Sequence, residues 1–183
     1  DAQKTGISMV VQEMGTIPGI TVAANIFIGN YSSFSKRGRL DNKRMRAEAD
    51  KILGEIGAGD IKGSMQVSEL NFEDRKIVEI ARAMYLRPEV LIIDESTTAL
   101  AQKGREIIYR QIDKLREENK AVIFISHDLE ELESVCNKIT CLRDGRLVGH
   151  LEGENITVKN MRPLMVGREL QGDYYRPDWD GSS

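Results

Sequence analysis

The chain reads as an α/β protein: a parallel sheet flanked by helices, with a helical subdomain inserted near its middle. Three observations predict this class. Residues 90–93, Val-Leu-Ile-Ile, form an apolar run of strand length that stops at Asp94 and Glu95, as a fully buried parallel strand does. An amphipathic stretch over 103–119 separates that run from a second one over 121–126, and strand–helix–strand alternation implies parallel strands covered by helices. Between residues 30 and 87, helical spacing occurs twice and no convincing strand pattern occurs.

In chain order, residues 7–11 predict a short buried strand leading into Gln12. Residues 21–29 predict a short helix with Thr21 as its N-cap. Residues 30–40, rich in Ser, Gly and basic side chains, predict an exposed loop. Asp41 caps a helix to about Ile56 that places Met45, Ala49, Ile52, Leu53 and Ile56 on one face, and Gly57 stops it. A second helix over 72–86 repeats Ile77, Ile80, Ala81 and Met84 and ends before Pro88. The strand 90–93 follows, then the helix 103–119 with Ile107, Ile108, Ile112 and Leu115 inside. The strand 121–126 leads into His127. After a short helix over 129–136, residues 138–142 and 146–151 alternate around Asp144-Gly145, a strong hairpin signal. A final helix covers 157–166, and the polar residues 171–183 predict a linker or tail.

Composition narrows the function. The 183 residues suit one domain with a real core. A net charge of −3 without a basic stripe, and only 5% aromatic residues, give no support to nucleic-acid binding. Lys43, Arg44 and Arg46 read as a solvated helix face. Cys136 and Cys141 fit neither a redox pair nor a zinc knuckle and predict two free thiols in a reducing compartment. No apolar run reaches the roughly 18 residues that span a bilayer, and the first residues lack the order of a signal peptide.

Polar residues of chemical interest follow the apolar strands: Gln12, the pair Asp94 and Glu95, and His127. Each has a bland alternative as surface decoration, loop start or structural histidine. Parallel strands, however, bring their C-terminal ends to one rim, where open α/β sheets bind ligands. A carboxylate that holds a Mg²⁺ shell, next to one that handles an attacking water, is the arrangement of a P-loop ATPase. The phosphate loop G-x-x-x-x-G-K-[ST] is not among these residues. That gap, together with the missing initial Met, predicts a chain that begins downstream of the loop.

These motifs resemble the ABC transporter ATPases. Val10-Val11-Gln12-Glu13 is similar to their Q-loop, and Leu91-Ile92-Ile93-Asp94-Glu95 to their Walker B strand. Thr98-Ala99-Leu100-Ala101 falls at the D-loop, Ile125-Ser126-His127-Asp128 at the H-loop, and Leu142-Arg143-Asp144-Gly145 at the strand turn beyond it. Residues 1–14, the run Val78-Glu79-Ile80-Ala81-Arg82-Ala83-Met84 and Met165-Val166-Gly167-Arg168-Glu169-Leu170 narrow the resemblance. They point to the first nucleotide-binding half of tandem monosaccharide importers, the ribose, galactose and xylose class. The resemblance implies a partial P-loop NTPase core over 1–170 with a helical subdomain at about 30–88, and ATP and Mg²⁺ as cofactors. Asp94 would hold the metal with help from Gln12, Glu95 would handle the water, and His127 would touch the γ-phosphate. Implied partners are transmembrane permease subunits, a second ATPase half and, indirectly, an extracytoplasmic sugar-binding protein. The implied location is the cytoplasmic face of the cell membrane.

One motif departs from the family. Where the signature reads L-S-G-G-Q, this chain has Leu70-Asn71-Phe72-Glu73-Asp74. Asn71 can still cap the helix, but Phe72 is bulky and Glu73 and Asp74 bring negative charge to a phosphate position. At about 4 Å and an effective dielectric near 20, a like-charge contact costs about 4 kcal/mol. The expectation is that Asn71, Phe72 and Glu73 do not complete a partner's ATP site, and that this chain alone does not hydrolyse ATP. An alternative is a non-catalytic regulatory or docking module on the same scaffold, which the retained Glu95 and His127 disfavour.

Overall fold

A computed structural model describes residues 5–36, 38–98 and 100–166. Ala99 of the D-loop-like stretch and the expected tail at 171–183 lie outside the described residues. The chain divides into two compact units, Asp1–Ser126 and His127–Ser183.

In the first unit, β1 (Ile7–Val10), β4 (Val90–Asp94) and β5 (Ala121–Ile125) form a parallel sheet in the order β1-β4-β5. Ile7 stands beside Val90, and Val90 beside Ala121. Side chains of a strand alternate between faces, so Val10, Leu91 and Ile93 share one face, each about 2% exposed. They pack on Ile80 and Ala83 of α3 (Phe72–Tyr85) and on Ile108 and Gln111 of α4 (Gln102–Glu117). The opposite face carries Met9, Ile123 and Ile125, which are 46%, 50% and 43% exposed. The expectation of a fully buried strand at 90–93 is thereby corrected: Leu91 and Ile93 are buried, whereas Val90 and Ile92 are only half-buried. An unbroken apolar run does not reveal whether one or both faces will be covered.

The long crossover between β1 and β4 carries the helical part. Thr21 caps α1 (Val22–Ile26) by accepting the Ala24 N–H at 3.2 Å. Asp41 caps α2 (Asn42–Glu55) by accepting the Arg44 N–H at 2.9 Å. Gly57, at φ +87°, turns the chain out of α2, a left-handed conformation that glycine adopts without strain. Met45, Ala49, Ile52 and Leu53 of α2 enter one core with Val22, Ile26, Ile77, Val78 and Ile107. Close approach there depends on Gly63, whose absent Cβ would lie 2.9 Å from both Ala49 Cβ and Arg46 O.

Residues 30–40 are more ordered than the exposed loop their composition predicts. Tyr31–Phe34 forms a 3₁₀ turn, and β2 (Ser35–Lys36) pairs with β3 (Arg39–Leu40) as a short hairpin. Phe34, 4% exposed, packs its ring on Phe27 at 4.4 Å, and Phe27 meets Tyr85 edge-on at 4.7 Å. Burial of one such side chain contributes about 1.5–3 kcal/mol. A single aromatic residue among polar ones has no period, so sequence pattern does not mark it as core.

The second unit contains α5 (Leu129–Val135), β6 (Lys138–Arg143), β7 (Arg146–Glu152) and α6 (Val158–Val166). Asp128 caps α5 through the Glu130 and Glu131 N–H groups. Asp144 and Gly145 turn the β6–β7 hairpin at φ +51° and +73°, which matches the right-handed strand twist. Helix α6 packs on α5 and β6, with Met161 buried. Cys136 and Cys141 are half-buried and form no disulfide among the described residues.

Candidate functional site

The parallel register aligns the C-terminal ends of β1 and β4, with Val10 beside Ile93 and Asp94 beside Ile125 of β5. Gln12 and Glu95, 83 residues apart, meet on this rim: Gln12 Nε2 donates to Glu95 Oε2 at 2.9 Å. The acceptor is a carboxylate, so the bond is charge-assisted. The Glu95 backbone is fixed too, with its N–H donating to Ile125 O at 2.9 Å and Thr98 Oγ1 donating to its carbonyl at 3.1 Å.

Glu95 has φ +41°. Three other non-glycine residues among those described adopt positive φ, and each has an ordinary structural reason. Arg87 and Asn119 follow the C-caps of α3 and α4, and Asp144 sits in the hairpin turn. Glu95 sits directly after a strand, where nothing in the sheet requires a left-handed residue. Such a conformation costs about 1–3 kcal/mol and persists where surrounding contacts over-determine it.

Asp94 is half-buried, and its carboxylate takes no hydrogen bond or ion pair from the described residues. Among the described residues there is no cluster of three or more metal-ligating side chains. One open carboxylate fits Mg²⁺, which keeps several waters and borrows phosphate oxygens rather than requiring a protein cage. It does not fit a closed transition-metal site.

The loop bearing Gln12 is held from several sides. Ser96, 1% exposed, has its Oγ 3.0 Å from Val11 O and 2.8 Å from Asp94 O. Lys76 on α3 is fully buried and donates from Nζ to Val11 O at 2.8 Å, Glu13 O at 3.2 Å and Glu79 Oε2 at 2.9 Å. Glu79 Oε1 accepts the Gly15 N–H, and Arg82 donates to Gly15 O at 3.0 Å. Asn25, also fully buried, closes the segment with two bonds to the Ile17 backbone. Sequence reasoning missed Lys76 and Glu79, because a Lys–Glu pair three apart on a helix reads as a surface pair. The available signal was positional: Lys76, Ile80 and Ala83 repeat at i, i+4 and i+7, the period of the buried stripe.

The start of α3 is organised differently. Asn71 Oδ1 accepts the Asp74 N–H at 2.8 Å. Glu73 turns toward α4 and accepts the Gly104 N–H at 3.0 Å. Ala101, the N-cap residue of α4, has no side chain to do this. A Cβ at Gly104 would lie 2.6 Å from Glu73 Oε1, so a larger residue here would displace that carboxylate. Phe72 is half exposed. Partial burial, and then the charge of Glu73, raise the Asp74 carboxyl above its ordinary value. Lys103 pairs with Asp60 at 2.8 Å, and this hydrogen bond holds Asp60 below its ordinary value. His127 is exposed, follows β5 in sequence and is the first residue of the second unit.

With this fold and this rim, the sequence matches the family described as ABC transporter over residues 1–98. The chain therefore belongs to the ABC transporter family. It is 37% identical over 175 residues to the "Ribose import ATP-binding protein RbsA" of a Bacillus cereus strain, covering 96% of this chain and 35% of that protein. It is 36% identical over 180 residues to the protein of the same name in Shouchella clausii, covering 98% of this chain and 36% of that one. The chain thus spans about a third of the length of these relatives. Among solved structures it is similar to the ATP-binding cassette MJ0796, described as a dimer bound to ADP and Pi, with a TM-score of 0.66 and 27% identity, covering 80% of this chain and 62% of that one. It also shares the fold of the ATP-binding cassette MJ1267, with a TM-score of 0.69 and 21% identity, covering 90% of this chain and 68% of that one. Among the described residues no helix is long and apolar enough to cross a membrane.

Proposed function

We propose that this chain is part of the ATP-hydrolysing subunit of an ABC importer for a monosaccharide, at the cytoplasmic face of the membrane, and corresponds to its first nucleotide-binding half. The observation that carries the reading is the contact of Gln12 Nε2 with Glu95 Oε2 beside an open Asp94 at the C-terminal rim of a parallel sheet. Asp94 would hold Mg²⁺ together with Gln12, and the ion would neutralise charge on the β- and γ-phosphates. Glu95 would orient and deprotonate the attacking water, and its bond to Gln12 fixes where that carboxylate points. His127 is assigned to the γ-phosphate by its place in the H-loop-like motif. The helical region at about 30–88 is proposed as the docking surface for permease subunits, with a second ATPase half and a sugar-binding protein completing the system.

The Asn71 cap supports a second element of the reading. The Asp74 N–H, one of the free amides a helix start offers an anion, is already bonded to Asn71, and Glu73 adds negative charge. We propose that Asn71, Phe72 and Glu73 leave the partner half's ATP site incomplete, so that hydrolysis runs mainly at one of two sites. A nucleotide-trapped dimer with symmetric γ-phosphate contacts to the Asn71 and Glu73 amides would overturn this.

The test of the main reading is the gene upstream of the codon for Asp1, followed by its whole product. An in-frame G-x-x-x-x-G-K-[ST] and MgATP hydrolysis are expected. A whole product that carries no such loop and binds no MgATP sinks the enzyme reading and leaves the docking module.

A further inference from the structure

The buried ion pair Lys76–Glu79 lies outside the roles assigned above, yet its hydrogen bonds converge on the loop that carries Gln12. Lys76 is 0% and Glu79 is 3% exposed. A charge so deep is costly unless paired and fully bonded. Each member does more than satisfy the other. Lys76 Nζ reaches the carbonyls of Val11 and Glu13, the two neighbours of Gln12. Glu79 takes the Gly15 N–H, so the loop is held on both sides of Met14. Gln12 itself is exposed, and among the described residues its side chain bonds only to Glu95 Oε2. An exposed side chain on an irregular loop keeps one direction only if its backbone is fixed.

We propose that Lys76 and Glu79 are positioning residues: together they clamp residues 11–15 to α3 and thereby aim the Gln12 amide at Glu95. Because the same helix begins at Phe72, the clamp ties the loop to the helix that starts within the signature-like motif. This rests on the reading of Gln12 and Glu95 as site residues, but the geometry it asserts can be tested without nucleotide.

The experiment compares the Gln12 side-chain amide resonances of the ¹⁵N-labelled 183-residue chain by NMR with and without Glu95→Gln, at one fixed neutral pH. In the otherwise unaltered chain Glu95→Gln should shift them, because the partner of the Gln12 amide changes from a carboxylate to a neutral amide. The double variant Lys76→Met/Glu79→Leu removes both buried charges together, and with them the acceptor of the Gly15 N–H, so no unpaired charge remains to unfold the chain. In that background the shift caused by Glu95→Gln should fall several-fold. Ile112→Ala on α4 serves as the structural control: it should lower thermal stability and leave the shift intact. A double variant that folds and keeps the full shift overturns the clamp, as does an unaltered background in which Glu95→Gln leaves Gln12 unmoved. Failure of the ATPase reading would show only in the nucleotide assays of the whole product.

Discussion

The sheet rim and the start of α3 belong to one unit and treat their polar groups in opposite ways. At the start of α3, Asn71 answers the Asp74 amide and Glu73 answers the Gly104 amide. At the rim, Asp94 keeps an open carboxylate, Glu95 is held in a left-handed conformation, and the fixing is done from behind by Ser96, Lys76 and Glu79. The first arrangement serves stability, because side chains of this unit satisfy the Asp74 and Gly104 donors, one within the helix start and one from α4. The second leaves the Asp94 carboxylate open and places the cost of holding the rim in neighbouring elements.

The comparison breaks most sharply at Glu95. In the whole gene product, Glu95→Gln should lower ATP turnover by about 10²–10⁴-fold, the range for a lost general base, with MgATP still bound. Phosphate release and nucleotide binding measured together check it; unchanged turnover would move the rim from chemistry to structure. Next in size is Lys76→Met, which strands Glu79 as a buried, unpaired carboxylate. It should cost about 3–5 kcal/mol in urea unfolding, with Lys76→Met/Glu79→Leu costing clearly less. Asn71→Ala should cost about 1 kcal/mol, the value of a lost N-cap, and should not alter Gln12 or Glu95 resonances, since the Asn71 bond closes within three residues.

The smallest effect concerns Asp74. Its folded carboxyl binds a proton more tightly than in the unfolded chain, because burial and Glu73 raise its pKa. Stability therefore falls as pH rises from the unfolded value, 3.8, through the raised folded value, and is flat above it. Asp74→Asn should remove that slope and leave the chain at least as stable at neutral pH. Thermal unfolding across an acidic pH series reads this directly. If the slope survived in Asp74→Asn, the start of α3 would not be the relaxed partner in the comparison.

Much of the fold was legible in particular residues. Thr21, Asp41 and Asn71 act locally on amides three residues ahead, so their caps could be read from sequence and occur as expected. Asp144-Gly145 fixed the hairpin for the same reason. The inner face of Val10, Leu91 and Ile93 followed from strand runs, but the exposure of Ile123 and Ile125 did not, since one-sided cover depends on which helices arrive. Phe34 was hidden in a polar stretch because one ring carries no period.

By itself, the sequence determined what acts over a few residues: caps, turns, the apolar stripes and the order of Gln12, Asp94, Glu95 and His127 along the chain. Only the tertiary structure decided what depends on distant segments meeting. It brought the Gln12 amide onto a carboxylate 83 residues away. It also turned a lysine and a glutamate that read as surface charges into a buried clamp, because a side chain's solvent is set by the elements that pack over it.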